Sequence, residues 1–124
     1  MKKLALLLVL VPFTAAADKN YQSGKGGTWN CAKDPVVNIN HGRGKYTFKG
    51  ACDAINVNGG QSTLTIESVD TLNVNAAKNT IKIGTVDTIN VNGADNTITY
   101  KKSKDEGGAT VTNVGTGNKI GPAK

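Results

Sequence analysis

The chain has a single histidine, two cysteines, one tryptophan and only 5% aromatic residues. Each scarcity closes a class of function. His41 is the only imidazole and stands beside Gly42 in a turn-rich stretch. No nucleophile, base and orienting acid can be nominated together, so the chain is read as a non-enzyme with no catalytic residue. Asp95 and Glu67 do not rescue a glycosidase reading, because they fall in different turns of non-equivalent segments. The cysteines lack the C-x-x-C spacing that poises a redox pair. The calcium-binding repeat G-G-x-G-x-D is absent, and no cofactor is implied. Beyond Phe13 no apolar run is long enough to span a bilayer.

What is present begins with a leader. Lys2-Lys3, an apolar run from Leu4 to Phe13 and Thr14-Ala15-Ala16-Ala17 form the basic, apolar and small-residue regions of a signal peptide. Cleavage after Ala17 predicts a secreted or periplasmic protein with Asp18 as its first residue and no membrane span after processing. No cysteine sits at the cleavage point to accept a lipid. Losing Lys2 and Lys3 lowers the net charge from +6 to +4. That mild excess does not by itself argue for nucleic acid, and none is expected as a partner.

The mature chain suits one domain, and an internal repeat sets its fold. CDAINVNGGQSTLTIES from Cys52, VDTLNVNAAKNTIKIGT from Val69 and VDTINVNGADNTITYKK from Val86 superpose as 17-residue units, with weaker copies before and after. Within each unit apolar and polar residues alternate, as in Ile55, Val57, Leu64 and Ile66 against Asn56, Asn58, Thr63 and Thr65. Period two means strands with one buried face. The β-branched, Asn and Gly content excludes helix. A repeat this short is one coil of a β-solenoid, far below a propeller blade.

The expected fold is therefore an all-β, single-domain parallel β-solenoid (β-helix) of about five coils, right-handed by the bias of parallel crossovers. Residues 1–17 are the signal peptide, 18–28 a flexible N-terminal segment, 29–120 the repeat domain and 121–124 a C-terminal tail. Four apolar columns fill the core, with Cys52, Val69 and Val86 as a fifth on a short third side. Trp29, Tyr46 and Phe48 are expected to plug the first coil, and the insertion Lys101–Glu106 to guard the last against edge-to-edge growth. Cys31 falls one repeat before Cys52, and stacked coils about 4.8 Å apart place the two within disulfide reach.

The V-N-G-x-x-N-T-I pattern, complete at Val91-Asn92-Gly93-Ala94-Asp95-Asn96-Thr97-Ile98, together with Cys31 and Cys52, resembles bacterial domain of unknown function 3060. The resemblance spans roughly residues 29 to 100. It implies a small exported β-solenoid and brings no known activity. Two departures stand out: Ala76-Ala77 where a glycine is expected, and Ser62 where the turn asparagine is missing. Each makes a positive φ less comfortable at its position.

The outward positions supply the candidate sites. Asn56, Asn73 and Asn90 follow Asn38 in one column, and Asn58, Asn75 and Asn92 follow Asn40 in another. Stacked amides form ladders along a solenoid axis, and they also suit a neutral glycan, offering donors and acceptors together. Cell-surface polysaccharide or another envelope protein is the expected partner, with polyanion binding through the basic end loops as an alternative. Thr63, Thr80 and Thr97, beside Thr65, Lys82 and Thr99, make a short threonine face interrupted by Lys82. Asp53, Asp70 and Asp87 share one repeat position and are the weak candidates for a metal column.

Overall fold

The computed structural model describes residues 19–123. The expected signal peptide of residues 1–17 and the expected new terminus at Asp18 lie outside the described residues. Nine strands follow in order: β1 (Lys19–Tyr21), β2 (Gly26–Asn30), β3 (Val36–Ile39), β4 (Lys45–Val57), β5 (Thr63–Val74), β6 (Thr80–Asn92), β7 (Thr97–Ser103), β8 (Thr110–Val114) and β9 (Lys119–Pro122). Every pairing is parallel. The long strands β4, β5 and β6 each bend round a corner, so one strand closes one coil and opens the next. No helix occurs among the described residues. The result is a parallel β-solenoid.

The stacking follows the repeat. Ile55, Leu72, Ile89 and Val111 are in register, as are Val57, Val74 and Val91. Leu64, Ile81, Ile98 and Ile120 form a third column and Ile66, Ile83 and Tyr100 a fourth. Cys52, Val69 and Val86 complete the short third side. From Val37 to Ile98 these inward positions are essentially closed to solvent. Burying one such aliphatic side chain contributes roughly 1.5–3 kcal/mol, and the columns make that contribution continuous from coil to coil.

Six coils are present where five are expected, and the extra one is at the start. Residues 18–28 were expected to be flexible, yet β1 pairs with β3 and β2 with β4. Their strands close a first coil. The expected tail is also shorter, because β9 runs through Gly121 to Pro122. At the N-terminal end Tyr21 packs edge-on against Tyr46 and Phe48, at 4.8 and 6.3 Å between ring centroids. Lys19 lies over the Tyr21 and Trp29 rings, and the Trp29 indole donates to the Asp34 carbonyl. The plug therefore forms as expected, with Tyr21 added. Burial raises the Tyr46 phenol above its ordinary 10.0, and burial followed by the neighbouring Tyr46 raises that of Tyr21.

Cys31 and Cys52 form a disulfide with their Cα atoms 5.1 Å apart. Beside it the register shifts by one residue between Phe48 and Ala51. Gly50 is the added residue, at φ 81°, and the Glu67 carboxylate accepts its N–H at 2.8 Å. The charged insertion departs from its expected place. Lys101–Ser103 continue β7, and the remainder forms a lateral loop ahead of the sixth coil instead of covering the end. Among the described residues none covers that end, and the inward Val111 is 40% exposed.

Candidate functional site

The first side of the solenoid carries the asparagines. Because inward and outward positions alternate, placing Ile55 and Val57 in the core turns Asn56 and Asn58 outward. The resulting ladder runs through five coils. Asn38 donates to Asn20 at 3.0 Å, Asn56 to Asn38 at 2.8 Å, Asn73 to Asn56 at 2.8 Å and Asn90 to Asn73 at 2.9 Å. Each link runs from Nδ2 to Oδ1, so all the amides point the same way. The second column adds Asn58 to Asn40 at 2.9 Å and Asn75 to Asn58 at 3.3 Å. Asn92 continues that column, and Val114 occupies its last rung.

Both columns line a shallow concavity of about 410 Å³, closed on one side by Thr112 and Val114. The inner ladder is half-buried and the outer one exposed. A ladder amide uses one N–H and one acceptor direction along the axis, which leaves a second N–H and a lone pair facing solvent. From the third coil to the fifth, Asn56, Asn73 and Asn90 therefore each offer a donor and an acceptor, and among the described residues the side carries no charge at its outward strand positions.

A third ladder lies inside the first corner. Asn79 and Asn96 are 1% and 0% exposed. The Asn96 Oδ1 accepts both the backbone N–H and the side-chain amide of Asn79, at 3.0 and 3.1 Å. Asn118 does the same for Asn96. These amides satisfy turn N–H groups that a narrow core cannot hydrate. At the third coil's turn Ser62 stands in, accepting weakly from Gly44 N of the second coil's turn at 3.4 Å. The recurring Asn-Thr-Ile triplet marks this position in the sequence, although nothing there says that the amide points inward.

The positive φ falls elsewhere than expected. It is not at the Gly59 and Ala76 position nor at Ser62, but at the residue between: Arg43, Gln61, Lys78 and Asp95, with φ from 58° to 64°. The departures at Ala76-Ala77 and Ser62 therefore cost no left-handed strain. The stacked turns expose a second concavity containing His41 and Arg43, with no carboxylate in its lining.

The aspartate column forms with a cation at its end. Lys104 follows Asp53, Asp70 and Asp87 at the same repeat position, and its ammonium reaches past Asp87 to pair with Asp70. Among the described residues no group of three or more His, Cys, Asp or Glu side chains is arranged to hold a metal.

The turn ladder of Asn79, Asn96 and Asn118 runs from the fourth coil to the sixth. A family model described as protein of unknown function (DUF3060) matches residues 72–117. That span runs from the inward Leu72 to the turn of the sixth coil, so the DUF3060 similarity rests on the repeat. No curated protein and no solved structure matches the chain. The Cys31–Cys52 disulfide, which precedes the matched span, fits an oxidising compartment. Among the described residues no helix is long and apolar enough to cross a membrane.

Proposed function

We propose that this chain is a non-enzymatic module, secreted or held in the cell envelope, with a structural or protein-interaction role. The observation that carries the reading is the use to which the repeat is put. Most recurrent side chains are engaged in the stack, as core columns, buried turn amides or surface ladders, and among the described residues they leave regular sides rather than a cluster of reactive groups. Such a rod acts by presenting surfaces. The disulfide and the aromatic plug support persistence outside the cytoplasm.

The concavity between the two outer asparagine columns favours a second reading, a binder of neutral polysaccharide. Unsubstituted sugars present hydroxyls that match paired donors and acceptors. Co-sedimentation of the purified protein with cell-wall polymers and exopolysaccharide, at low and high salt, separates the two. Retention at high salt that Asn73→Ala and Asn90→Ala abolish assigns the asparagine side to glycan. Absence of retention at either salt leaves the protein-partner reading. Release of sugar fragments from any of the polymers would overturn the non-enzymatic reading altogether.

A further inference from the structure

We propose that the second side of the solenoid, opposite in character to the asparagine side, docks a linear polymer bearing a regularly repeated anionic group, carboxylate or phosphate. This goes beyond the role argued above and uses different residues.

The charge distribution between the sides is the starting point. The outward strand positions of the first side hold no charge, and the third side holds the aspartate column. On the second side the outward positions form three columns. Lys45 in the second coil and Lys119 in the sixth belong to one, separated by Thr63, Thr80 and Thr97, with Gly26 on the first-coil rung. Lys82 sits mid-face in the next column, and Lys49 and Lys101 lie in the third. All five lysines are exposed, and among the described residues none of them forms an ion pair. Among the described residues the one acid at an outward strand position of this side, Glu67, accepts the Gly50 N–H. From strand geometry the five ammonium groups spread over a face about 19 Å along the axis and about 13 Å across. A rigid sheet sets that spread before any partner arrives, so little ordering entropy opposes association.

A second feature lies within this pattern. Gly84 occupies the column of Lys49, Glu67 and Lys101, and its missing side chain leaves a depression of about 360 Å³ lined by Lys82 and Lys101 and, on one side, by Glu67. The depression cannot be filled by mutation at that residue, because a Cβ there would meet the Glu67 carbonyl oxygen at 2.4 Å. Ile66 and Ile83 contribute to its lining, and Thr65 borders it with a hydroxyl. An anionic group settling there meets two ammonium groups against one carboxylate, that of Glu67, which is engaged by the Gly50 N–H. The remaining lysines lie within about two Debye lengths at physiological salt, close enough to attract further anions of the same chain. The face exposes no large apolar side chain, so the attraction is electrostatic with hydroxyl hydrogen bonds, and it weakens with salt.

The test measures binding of the purified protein to polygalacturonate, inorganic polyphosphate and uncharged dextran at about 20 mM and about 300 mM salt. The expected result is retention of at least one anionic polymer at low salt and none of dextran. The double variant Lys82→Gln/Lys101→Gln should weaken it on the order of tenfold, with unchanged circular dichroism and thermal midpoint. Lys25→Gln/Lys33→Gln, which removes two cations from the N-terminal coil, should stay within about twofold. Response to polygalacturonate alone or polyphosphate alone identifies the anionic group. No anionic retention at low salt, equal loss in both double variants, or comparable binding of dextran that Asn73→Ala leaves intact overturns the proposal. Asn73→Ala must leave anionic binding unchanged, so a failed asparagine side and a failed lysine side are distinguishable.

Discussion

Asn96 is the position where the solenoid's internal wiring can be tested against its surface. Its side chain is fully buried. Oδ1 accepts two hydrogen bonds from Asn79, and Nδ2 donates to the Ala76 carbonyl at 2.8 Å and to Asn118 Oδ1 at 3.0 Å. Replacing Asn96 with Ala orphans the Asn79 N–H and amide in a corner that water does not reach. Each orphaned buried donor costs about 1–3 kcal/mol, so a loss of about 3 kcal/mol is expected. Asn73 makes ladder bonds of similar length, 2.8 and 2.9 Å, but it is only half-buried, and water can replace its amide. Asn73→Ala should then cost about 1 kcal/mol or less. Asn96→Ser should fall between, because Ser62 already serves at the equivalent turn. Urea unfolding of the disulfide-intact protein reads these differences as midpoint shifts at constant slope. Equal losses for Asn96→Ala and Asn73→Ala would mean that burial of the amide is not what makes the turn ladder costly to break.

Two further outcomes follow from the N-terminal end. Replacing Cys31 and Cys52 together by Ala, which opens a link between residues 21 apart in sequence, should lower stability by about 3 kcal/mol in the chain-entropy account; a urea midpoint within error of the parent would contradict it. The Tyr46 phenol is raised in the folded state by burial, so its protonated form is favoured there. Its contribution is fully present below the unfolded value of about 10 and is lost as pH climbs through the raised folded value. Stability measured from pH 8 to 12 should fall more steeply above pH 10 for the parent than for Tyr46→Phe, and parallel curves would rule the tyrosine out as the source.

The sequence carries the core of this fold plainly because period-two alternation and a fixed repeat specify both which face is buried and what stacks on what. Leu72, Ile89 and their neighbours are readable for that reason, and so is the cysteine pair. The first coil is hidden because Lys19 and Gly27 hold the register positions of Val37 and Tyr46, which erases the alternation. The left-handed turn position is hidden because Arg43, Gln61, Lys78 and Asp95 share no chemistry; only the stacking of their backbones makes them equivalent. Of the candidate site, the outer asparagine columns are visible as columns, whereas the direction of their hydrogen bonds is not. The Lys104–Asp70 pair joins residues two coils apart, beyond what a single alternating strand reveals.

The two main corners differ in how they treat chain length. From the second coil onward the corner that encloses the asparagine turn takes the same number of residues each time, six steps from Ile39 to Lys45, Val57 to Thr63, Val74 to Thr80, Val91 to Thr97 and Asn113 to Lys119. The opposite corner takes eight steps from Trp29 to Val37, seven from Phe48 to Ile55, six from Ile66 to Leu72 and eleven from Tyr100 to Val111. One hinge of the coil is a fixed gauge, set by amides that must meet the turn above and below; the other is slack. Foreign peptides grafted at the slack corner would ride on the rod as lateral pendants, while the same graft at the gauged corner would break the count on which every later coil depends.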